Sequence, residues 1–174
     1  MAIEYTLLKK HGLDGDVDFR LVADLAGQLR EYLDREEVQQ EIRSRHVLGA
    51  SSVGIQNVIL QRAQELGFQS EKKGLFAGYK VPGLRPDYYC PVGTTGILLE
   101  VERGKTTTNN MDLLDFWKCH ICDQASYLFL VVPQERPSAN GSVLRHFLQA
   151  SKRLSTFFEP RNYANVDAVH LFGY

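Results

Sequence analysis

The sequence predicts an α/β fold in which helices flank a mixed β-sheet. The first observation behind this prediction is the order of local patterns, which runs helix, three strands, helix, strand, helix, strand. Such a mixture is typical of helices packed on both faces of a sheet. The second is the segment 126–133, which is almost wholly apolar and rich in β-favouring residues. A run of this kind predicts a central strand that is covered on both faces.

Length and composition predict one domain. The chain has 174 residues, of which 44% are hydrophobic, and this is enough for one well-buried core. Within that domain we expect a helical extension over residues 1–50 and an α/β core over residues 51–174. Lysine and arginine number 20 against 21 acidic residues, so the net charge of -1 gives no overall attraction to nucleic acid. A local basic groove is compatible with that balance.

The sequence favours a cytoplasmic protein with no membrane partner. No apolar run approaches the roughly 20 residues that a membrane-spanning helix needs. The first ten residues lack the basic, apolar and small-residue segments of a signal peptide. The three cysteines are an odd number and do not form the pattern of a disulfide framework, which is consistent with a reducing compartment.

The N-terminal helices are indicated by apolar residues that recur about one helical turn apart. Turn residues at 14–18 offer helix caps, and the pattern then continues to about Arg45 as one long amphipathic helix or a helical pair. Its apolar stripe consists of Leu21, Leu25, Leu29, Leu33, Val38 and Ile42. Ser51 or Ser52 can cap the next helix, and Gly67 supplies its stop signal.

Glycine and proline divide the chain after Phe68 into short β-favouring segments. We expect Phe68 to open the first strand, residues 87–90 to form the second and residues 97–102 the third. The connection over residues 91–96 then makes a hairpin of the second and third strands.

Two further helices and a last strand complete the predicted core. Asn109 or Asn110 can cap a helix whose apolar stripe contains Trp117, so we expect Trp117 in the core. Asp112 and Asp115 lie one turn apart on this helix and are expected to face water. A second amphipathic helix runs through residues 143–158, and residues 167–173 form the final strand.

Three carboxylates stand out at the hairpin. Residues two apart on a strand point to the same side, so Glu100 and Glu102 share a face, and the hairpin partner can bring Asp87 beside them. Clustered carboxylates repel one another and resist burial unless a cation lies among them. Mg²⁺ prefers such oxygen ligands, so the cluster predicts a metal site. The alternative is a half-exposed strand whose glutamates are simply solvated.

Pro86-Asp87, a hairpin and Glu100-Val101-Glu102 together resemble the PD-(D/E)xK motif of the restriction-endonuclease-like nuclease superfamily. The order of elements over residues 51–133 is similar to the common core of that superfamily. The resemblance implies a restriction-endonuclease-like fold that hydrolyses phosphodiester bonds in DNA with Mg²⁺, or with Mn²⁺ in its place. It also implies a homodimer, since one compact active site cuts one strand. The apolar stripe of the N-terminal helices needs a partner surface and favours the same state.

This chain departs from the motif at two positions. The third motif position is usually lysine and is Glu102 here, although some restriction enzymes of the superfamily have glutamate there. Lys105 or Lys118 is then a candidate for the missing lysine. Superfamily members often add a carboxylate from the first core helix, where this chain offers Gln56. A non-catalytic nucleic-acid-binding or assembly module with the same fold is therefore the second hypothesis.

The resemblance assigns roles to the candidate residues. Asp87 and Glu100 hold the metal, and Glu102 either joins them as a ligand or orients the attacking water. Lys105 contacts the phosphate, and Arg103, Lys105 and Lys118 contact nucleic acid.

Two groups of residues near this motif also have a purely structural interpretation. Arg103 and Lys105 flank Gly104 and are equally consistent with an ordinary charged turn. The group Cys119, His120 and Cys122 resembles half of a zinc site, but buried core is the favoured interpretation of its cysteines.

Overall fold

The structure is a computed structural model that describes residues 2–46, 53–70, 74–80, 83–137 and 141–174. Its helices in that part of the chain are α1 (Val17–Leu33), α2 (Glu36–Arg45), α3 (Val53–Glu65), α4 (Met111–Ile121) and α5 (His146–Ser155). Its strands are β1 (Glu4–Lys9), β2 (Gln69–Ser70), β3 (Tyr88–Val92), β4 (Thr95–Val101), β5 (Tyr127–Val132), β6 (Arg136–Pro137), β7 (Val143–Leu144) and β8 (Ala168–Gly173).

Six of these strands form one mixed sheet in the order β1-β8-β5-β4-β3-β2. The central pairs β4/β5 and β5/β8 are parallel, whereas β1 and the β2-β3-β4 hairpin region pair antiparallel. Parallel neighbours need a crossover, and α4 and α5 provide the two crossovers. The predicted α/β fold with a mixed sheet flanked by helices is therefore confirmed. β6 and β7 form a separate two-stranded ribbon.

The two faces of the sheet carry separate hydrophobic cores. Alternate side chains of a strand point to opposite faces. Ile97, Leu99 and Val101 of β4 join the core that packs on α1, α2 and α3, whereas Leu98 joins the core that packs on α4 and α5. Glu100 and Glu102 have the parity of Leu98 and therefore lie on the α4 face, as the period-two pattern predicts.

The strand boundaries differ from the prediction at several places. The hairpin turn contains only Gly93 and Thr94, so β3 and β4 are longer toward the turn than expected, and Asp87 lies just before β3. Gly93 has a φ of +53°, which favours glycine in this tight turn. β7 occupies the predicted start of the last helix, which begins at His146.

The N-terminal segment 1–50, predicted to be helical, also contains the unpredicted strand β1. β1 pairs with β8, and α1 and α2 pack on the same core as α3. The apolar stripe of these helices is buried within the chain through Leu29, Leu33 and Ile42, so it no longer argues for a partner surface. The predicted caps Ser51 and Ser52 lie outside the described residues.

Helix α4 turns a different face to the sheet from the one predicted. Trp117 is 38% exposed, so its expected place in the core is wrong. Asp112 and Asp115 are both 0% exposed, so the expectation that they face water is also wrong. Phe116 and Cys119 share their buried face and pack on the sheet. Among the described helices, none is long and apolar enough to cross a membrane.

Candidate active site

The site begins where the β3-β4 ladder ends. Tyr88 pairs with Leu99 in the antiparallel register, so the next residues along, Asp87 and Glu100, face each other at the end of the ladder. The backbone N–H of Val101 donates to Asp87 Oδ2 at 2.9 Å, and the backbone N–H of Asp87 donates to Glu100 Oε2 at 3.2 Å. Asp87 therefore closes the ladder with its side chain and is held beside Glu100.

Helix α3 adds an amide to these carboxylates. Gln56 Nε2 donates to Asp87 Oδ1 at 3.0 Å, so both oxygens of Asp87 accept a hydrogen bond. The three side chains Gln56, Asp87 and Glu100 line one cavity of about 340 Å³ together with Glu102 and Lys118. The structure thus brings together all three carboxylates that the sequence singles out.

Lys118 reaches this cavity from α4. Its Nζ forms an ion pair with Glu100 Oε1 and a second one, at 2.8 Å, with Asp115 Oδ1 one helical turn earlier. All three side chains are buried, and Asp115 is completely so. A buried charge is tolerated only when it is paired, so the two carboxylates explain how Lys118 can lie inside the molecule.

Burial sets the protonation of the cluster. Loss of hydration raises the pKa of Glu102 to about 8, and the negative charges of Asp115 and Asp87 add to that shift. Burial and the charge of Asp115 also raise the pKa of Glu100 well above its ordinary value, although Lys118 opposes them. Burial works against the charge of Lys118, but Glu100 and Asp115 together raise its pKa. Lys118 is therefore a cation at neutral pH.

The cluster contains more acid than base, and this fits a hard divalent cation. The carboxylates of Asp87, Glu100, Glu102 and Asp115 meet two cations among the described residues, buried Lys118 and exposed Arg85. Carboxylate oxygens are the ligands that Mg²⁺ and Mn²⁺ prefer. Within the described ranges, no three acidic, histidine or cysteine side chains already stand in the arrangement of a metal site. Ligand type and charge fit the ion, and the carboxylates would have to converge further to hold it.

Lys105 and Arg103 lie elsewhere. Lys105 is exposed on the turn after β4. Among the described residues, the lysine that lines the cavity is Lys118 and not Lys105. Arg103 is buried, and its charge acts on His46 and on Tyr174. Tyr174 packs on the core between the sheet and helices α1, α2 and α3, so Arg103 lies toward the face opposite to Glu100.

A second cavity continues from the first along α3. It has a volume of about 480 Å³ and shares Gln56, Arg85 and Asp87 with the carboxylate cavity. Gln64 and Ser70 extend its lining toward β2, the edge strand. The two cavities together form a polar groove, which we call the α3 groove, with Arg85 exposed at their junction.

Asp115 is the site residue that sequence reasoning missed. The signal was the spacing of Asp112, Asp115 and Lys118 on the same side of the helix as Phe116 and Cys119. Charged residues that share an arc with core residues indicate a buried ion pair.

The three residues that resemble half of a zinc site do not share one environment. Cys119 and Cys122 are buried, and Nδ1 of His120 accepts a hydrogen bond from the backbone N–H of Asn165 at 3.0 Å.

Comparison with protein-family models, with curated proteins and with solved structures finds no significant match to this chain. The function of the chain is therefore indicated by the site itself, where three carboxylates, an amide and a buried ammonium line one cavity at the end of a β-hairpin.

Proposed function

We propose that this protein is a metal-dependent endonuclease that hydrolyses phosphodiester bonds in DNA. The observation that carries the proposal is the convergence of Gln56, Asp87, Glu100, Glu102 and Lys118 on one cavity. Asp87 and Glu100 are the acidic positions of the motif resemblance, and Glu102 stands at its third position, which is usually lysine. Lys118 supplies from α4 the ammonium that the motif usually carries in the place of Glu102.

A restriction-endonuclease-like core is part of this proposal. The order α3, β2, β3, β4, α4, β5 agrees with the helix, three strands, helix and strand of the resemblance. The parallel pairing of β4 with β5 across α4 places the acidic end of β4 beneath that helix. This arrangement supports the proposed core because it brings Lys118 to the carboxylates.

Asp87, Glu100 and Glu102 would hold Mg²⁺, or Mn²⁺ in its place. Such an ion neutralises charge on a phosphate and makes water more acidic. Its ligands would come from the end of the β3-β4 ladder. There the backbone N–H groups of Asp87 and Val101 hold two of the carboxylates by hydrogen bonds. Asp87 and Glu100 are thus held side by side, and ion binding would draw the carboxylates of the cavity closer together.

Lys118 and Glu102 have different roles in this proposal. Lys118 stays charged between its two carboxylates, so it stabilises negative charge on the phosphate and does not accept a proton. The pKa of Glu102 is raised to about 8 by burial, which is close to the working pH of most enzymes. This pKa belongs to the metal-free protein, and a cation bound nearby would lower it. Where Asp87 and Glu100 alone hold the ion, Glu102 would orient the attacking water and accept its proton.

The α3 groove is the proposed path of the nucleic-acid strand. Arg85 lies where the two cavities of the groove meet, and guanidinium groups bind phosphate oxygens well. DNA as the substrate rests on the motif resemblance. The homodimer also stays a prediction, and light scattering of the purified protein tests it.

Plasmid cleavage is the direct experiment. The wild type, Asp87→Ala and Glu100→Ala are incubated with supercoiled plasmid and Mg²⁺ or Mn²⁺, and nicked and linear products are measured. Asp24→Ala is the matched control, since Asp24 is an exposed acid on α1. We expect cleavage by the wild type and the control only. Equal cleavage by all four proteins would contradict the site.

The second candidate is a nuclease-fold module that binds nucleic acid without cutting it. It is favoured by the contact of Lys118 with Glu100, which takes an oxygen that a metal ion would need. Under this alternative neither the wild type nor any variant cuts plasmid with either ion, but the wild type still binds DNA. Binding in the presence of EDTA, measured by fluorescence anisotropy, separates the two functions.

A further inference from the structure

Lys118 lies between two carboxylates that differ in position. Glu100 lines the carboxylate cavity together with Lys118, whereas Asp115 lies behind them on α4. Asp115 Oδ1 is 2.8 Å from Lys118 Nζ, and the side chain of Asp115 is 0% exposed. Apart from this ion pair, neither of its oxygens has a hydrogen-bond partner within the described residues. The burial of Asp115 is therefore compensated by Lys118.

Glu100 cannot serve Lys118 and a divalent ion equally well. The ammonium lies on Glu100 Oε1, and a metal ion at the same carboxylate would repel it. If Lys118 left Glu100 without another partner, it would be a buried and unpaired cation, which is costly. Asp115 removes that cost because it holds Lys118 from the same helix, three residues away.

We propose that Asp115 is a positioning residue that keeps Lys118 beside the cavity when a divalent ion takes Glu100. Lys118 then has two positions. In the metal-free protein it bridges Glu100 and Asp115, and in the loaded protein it remains on Asp115 and turns its other N–H donors to the phosphate. This inference rests on the proposed function, because it requires that Glu100 binds a metal ion.

Asp112 provides a matched control for Asp115. It lies one turn earlier on α4 and is also 0% exposed. Its ion-pair partner is Arg153 of α5, at 3.4 Å from Asp112 Oδ2, and not Lys118. A variant at Asp112 therefore loses a buried acid of the same helix without touching the Glu100–Lys118 pair.

The test is a double-mutant cycle on metal affinity. Mn²⁺ binding is measured by isothermal titration calorimetry for the wild type, Asp115→Asn, Lys118→Met and the double variant. We expect Asp115→Asn to weaken Mn²⁺ binding about tenfold or more, because Lys118 then keeps Glu100 as its carboxylate partner and competes with the ion for it. That is the size of effect usual for groups that act on a metal ligand without binding the ion. In the Lys118→Met background no ammonium competes for Glu100, so the same change should alter affinity by less than about threefold.

Asp112→Asn should leave Mn²⁺ affinity within about threefold of the wild type, because it does not contact Lys118. An equal effect of Asp115→Asn in both backgrounds would overturn the proposal, since Asp115 would then act as a plain charge. If Lys118→Met does not fold, Lys118→Gln takes its place in the cycle.

A crystal structure with saturating Mn²⁺ tests the same point without a variant. We expect Lys118 to lie on Asp115 and off Glu100, and a Lys118 that still contacts Glu100 beside the bound ion would refute the two positions. The proposed function fails separately: a wild-type protein that binds no Mn²⁺ overturns both, whereas an additive cycle in a protein that binds Mn²⁺ overturns this inference alone.

Discussion

His170 and Glu100 are both buried polar residues of central strands, on opposite faces of the sheet. His170 is 1% exposed, and its Nδ1 is 2.8 Å from the hydroxyl oxygen of Tyr5. Burial lowers its pKa to about 4, so it is neutral at physiological pH. Glu100 belongs instead to a cluster in which carboxylates outnumber cations.

The difference separates a structural polar residue from a site. His170 is neutral and keeps one hydrogen bond through Nδ1, whereas its Nε2 has no partner among the described residues. Its burial therefore leaves one nitrogen unsatisfied but no charge uncompensated. Carboxylates held together away from water are costly to ionise, which is why the pKa values of Glu100 and Glu102 are raised, and a further cation would remove that cost. The α4 face therefore keeps an arrangement that stability alone does not favour, and this is the physical basis of the proposed metal site.

The largest difference between Glu100 and His170 is expected in catalytic activity. Glu100→Gln should lower the rate of plasmid cleavage on the order of 10³-fold or more, since it removes both a metal ligand and the partner of Lys118. His170→Gln should cut within about tenfold of the wild-type rate, because His170 lies on the other face. Initial rates at saturating Mg²⁺ measure both. Similar losses in the two variants would mean that activity follows the stability of the sheet.

The next effect is on the stability of the metal-free protein. Lys118→Met leaves Glu100 and Asp115 buried without their cation, and breaking such a pair costs about 3–5 kcal/mol of unfolding free energy. A chain of this size should then lose about 10 °C in Tm. Lys152→Met, at an exposed lysine of α5, is the control and should change Tm little. Urea unfolding in EDTA gives the free energies, and an unchanged midpoint for Lys118→Met would argue that the ion pairs contribute nothing.

The two faces should also respond to pH with opposite sign. The pKa of His170 is lowered from 6.5 to about 4, so the unfolded chain binds more protons in that range and stability falls as pH drops through it. The pKa of Glu102 is raised from 4.5 to about 8, so the folded protein binds more protons there and stability falls as pH rises.

Urea unfolding from pH 4 to pH 9 in EDTA measures these slopes. His170→Gln should remove much of the loss on the acidic side, which is at most about 3 kcal/mol. Glu102→Gln should flatten the loss between pH 4.5 and about 8. If Glu102→Gln leaves the alkaline slope unchanged, Glu102 does not carry the raised pKa.

A smaller effect is expected in the α3 groove. Arg85→Ala should weaken DNA binding by about 1 kcal/mol and reduce the slope of log affinity against log salt by about 1, as for the loss of one phosphate contact. Arg161→Ala is the control, since Arg161 is exposed and pairs with Glu159 outside the groove. Fluorescence anisotropy at several salt concentrations measures both. Equal slopes for Arg85→Ala and the wild type would remove Arg85 from the strand path.

The smallest effect is expected at Lys105. It is exposed on the turn after β4, outside the cavity lining that the described residues form. Lys105→Ala should therefore change the transition-state free energy by less than about 0.5 kcal/mol, as is usual for surface substitutions. A loss in kcat/KM as large as that of Lys118→Met would restore the phosphate contact that the sequence first suggested for Lys105.

The acidic half of the site could be predicted because it depends on local rules. The period of two along β4 places Glu100 and Glu102 on one face, and a short hairpin brings Asp87 to them. The basic half was predicted only as a choice between Lys105 and Lys118, and the burial of Lys118 between two carboxylates could not be predicted from the helical pattern. The alternative stripe through Leu114 and Trp117 is as apolar as a buried face, yet both residues are exposed.

What decides the orientation of α4 is a contact between distant parts of the chain. Lys118 pairs with Glu100 of β4, and this favours the arc that carries Asp115 over the arc that carries Trp117. β1 was missed for a similar reason, since it is half-exposed and its partner β8 lies at the other end of the chain. Helical periodicity cannot report pairings of this kind.

Mn²⁺ soaked into a crystal of the protein would show whether the carboxylates of the α4 face bind a divalent cation. Anomalous scattering at the manganese absorption edge locates the ion without reference to any assumed site. We expect a peak in the cavity, within bonding distance of Asp87 and Glu100. Saturating Mn²⁺ with no peak there, and with Lys118 still on Glu100, would contradict it.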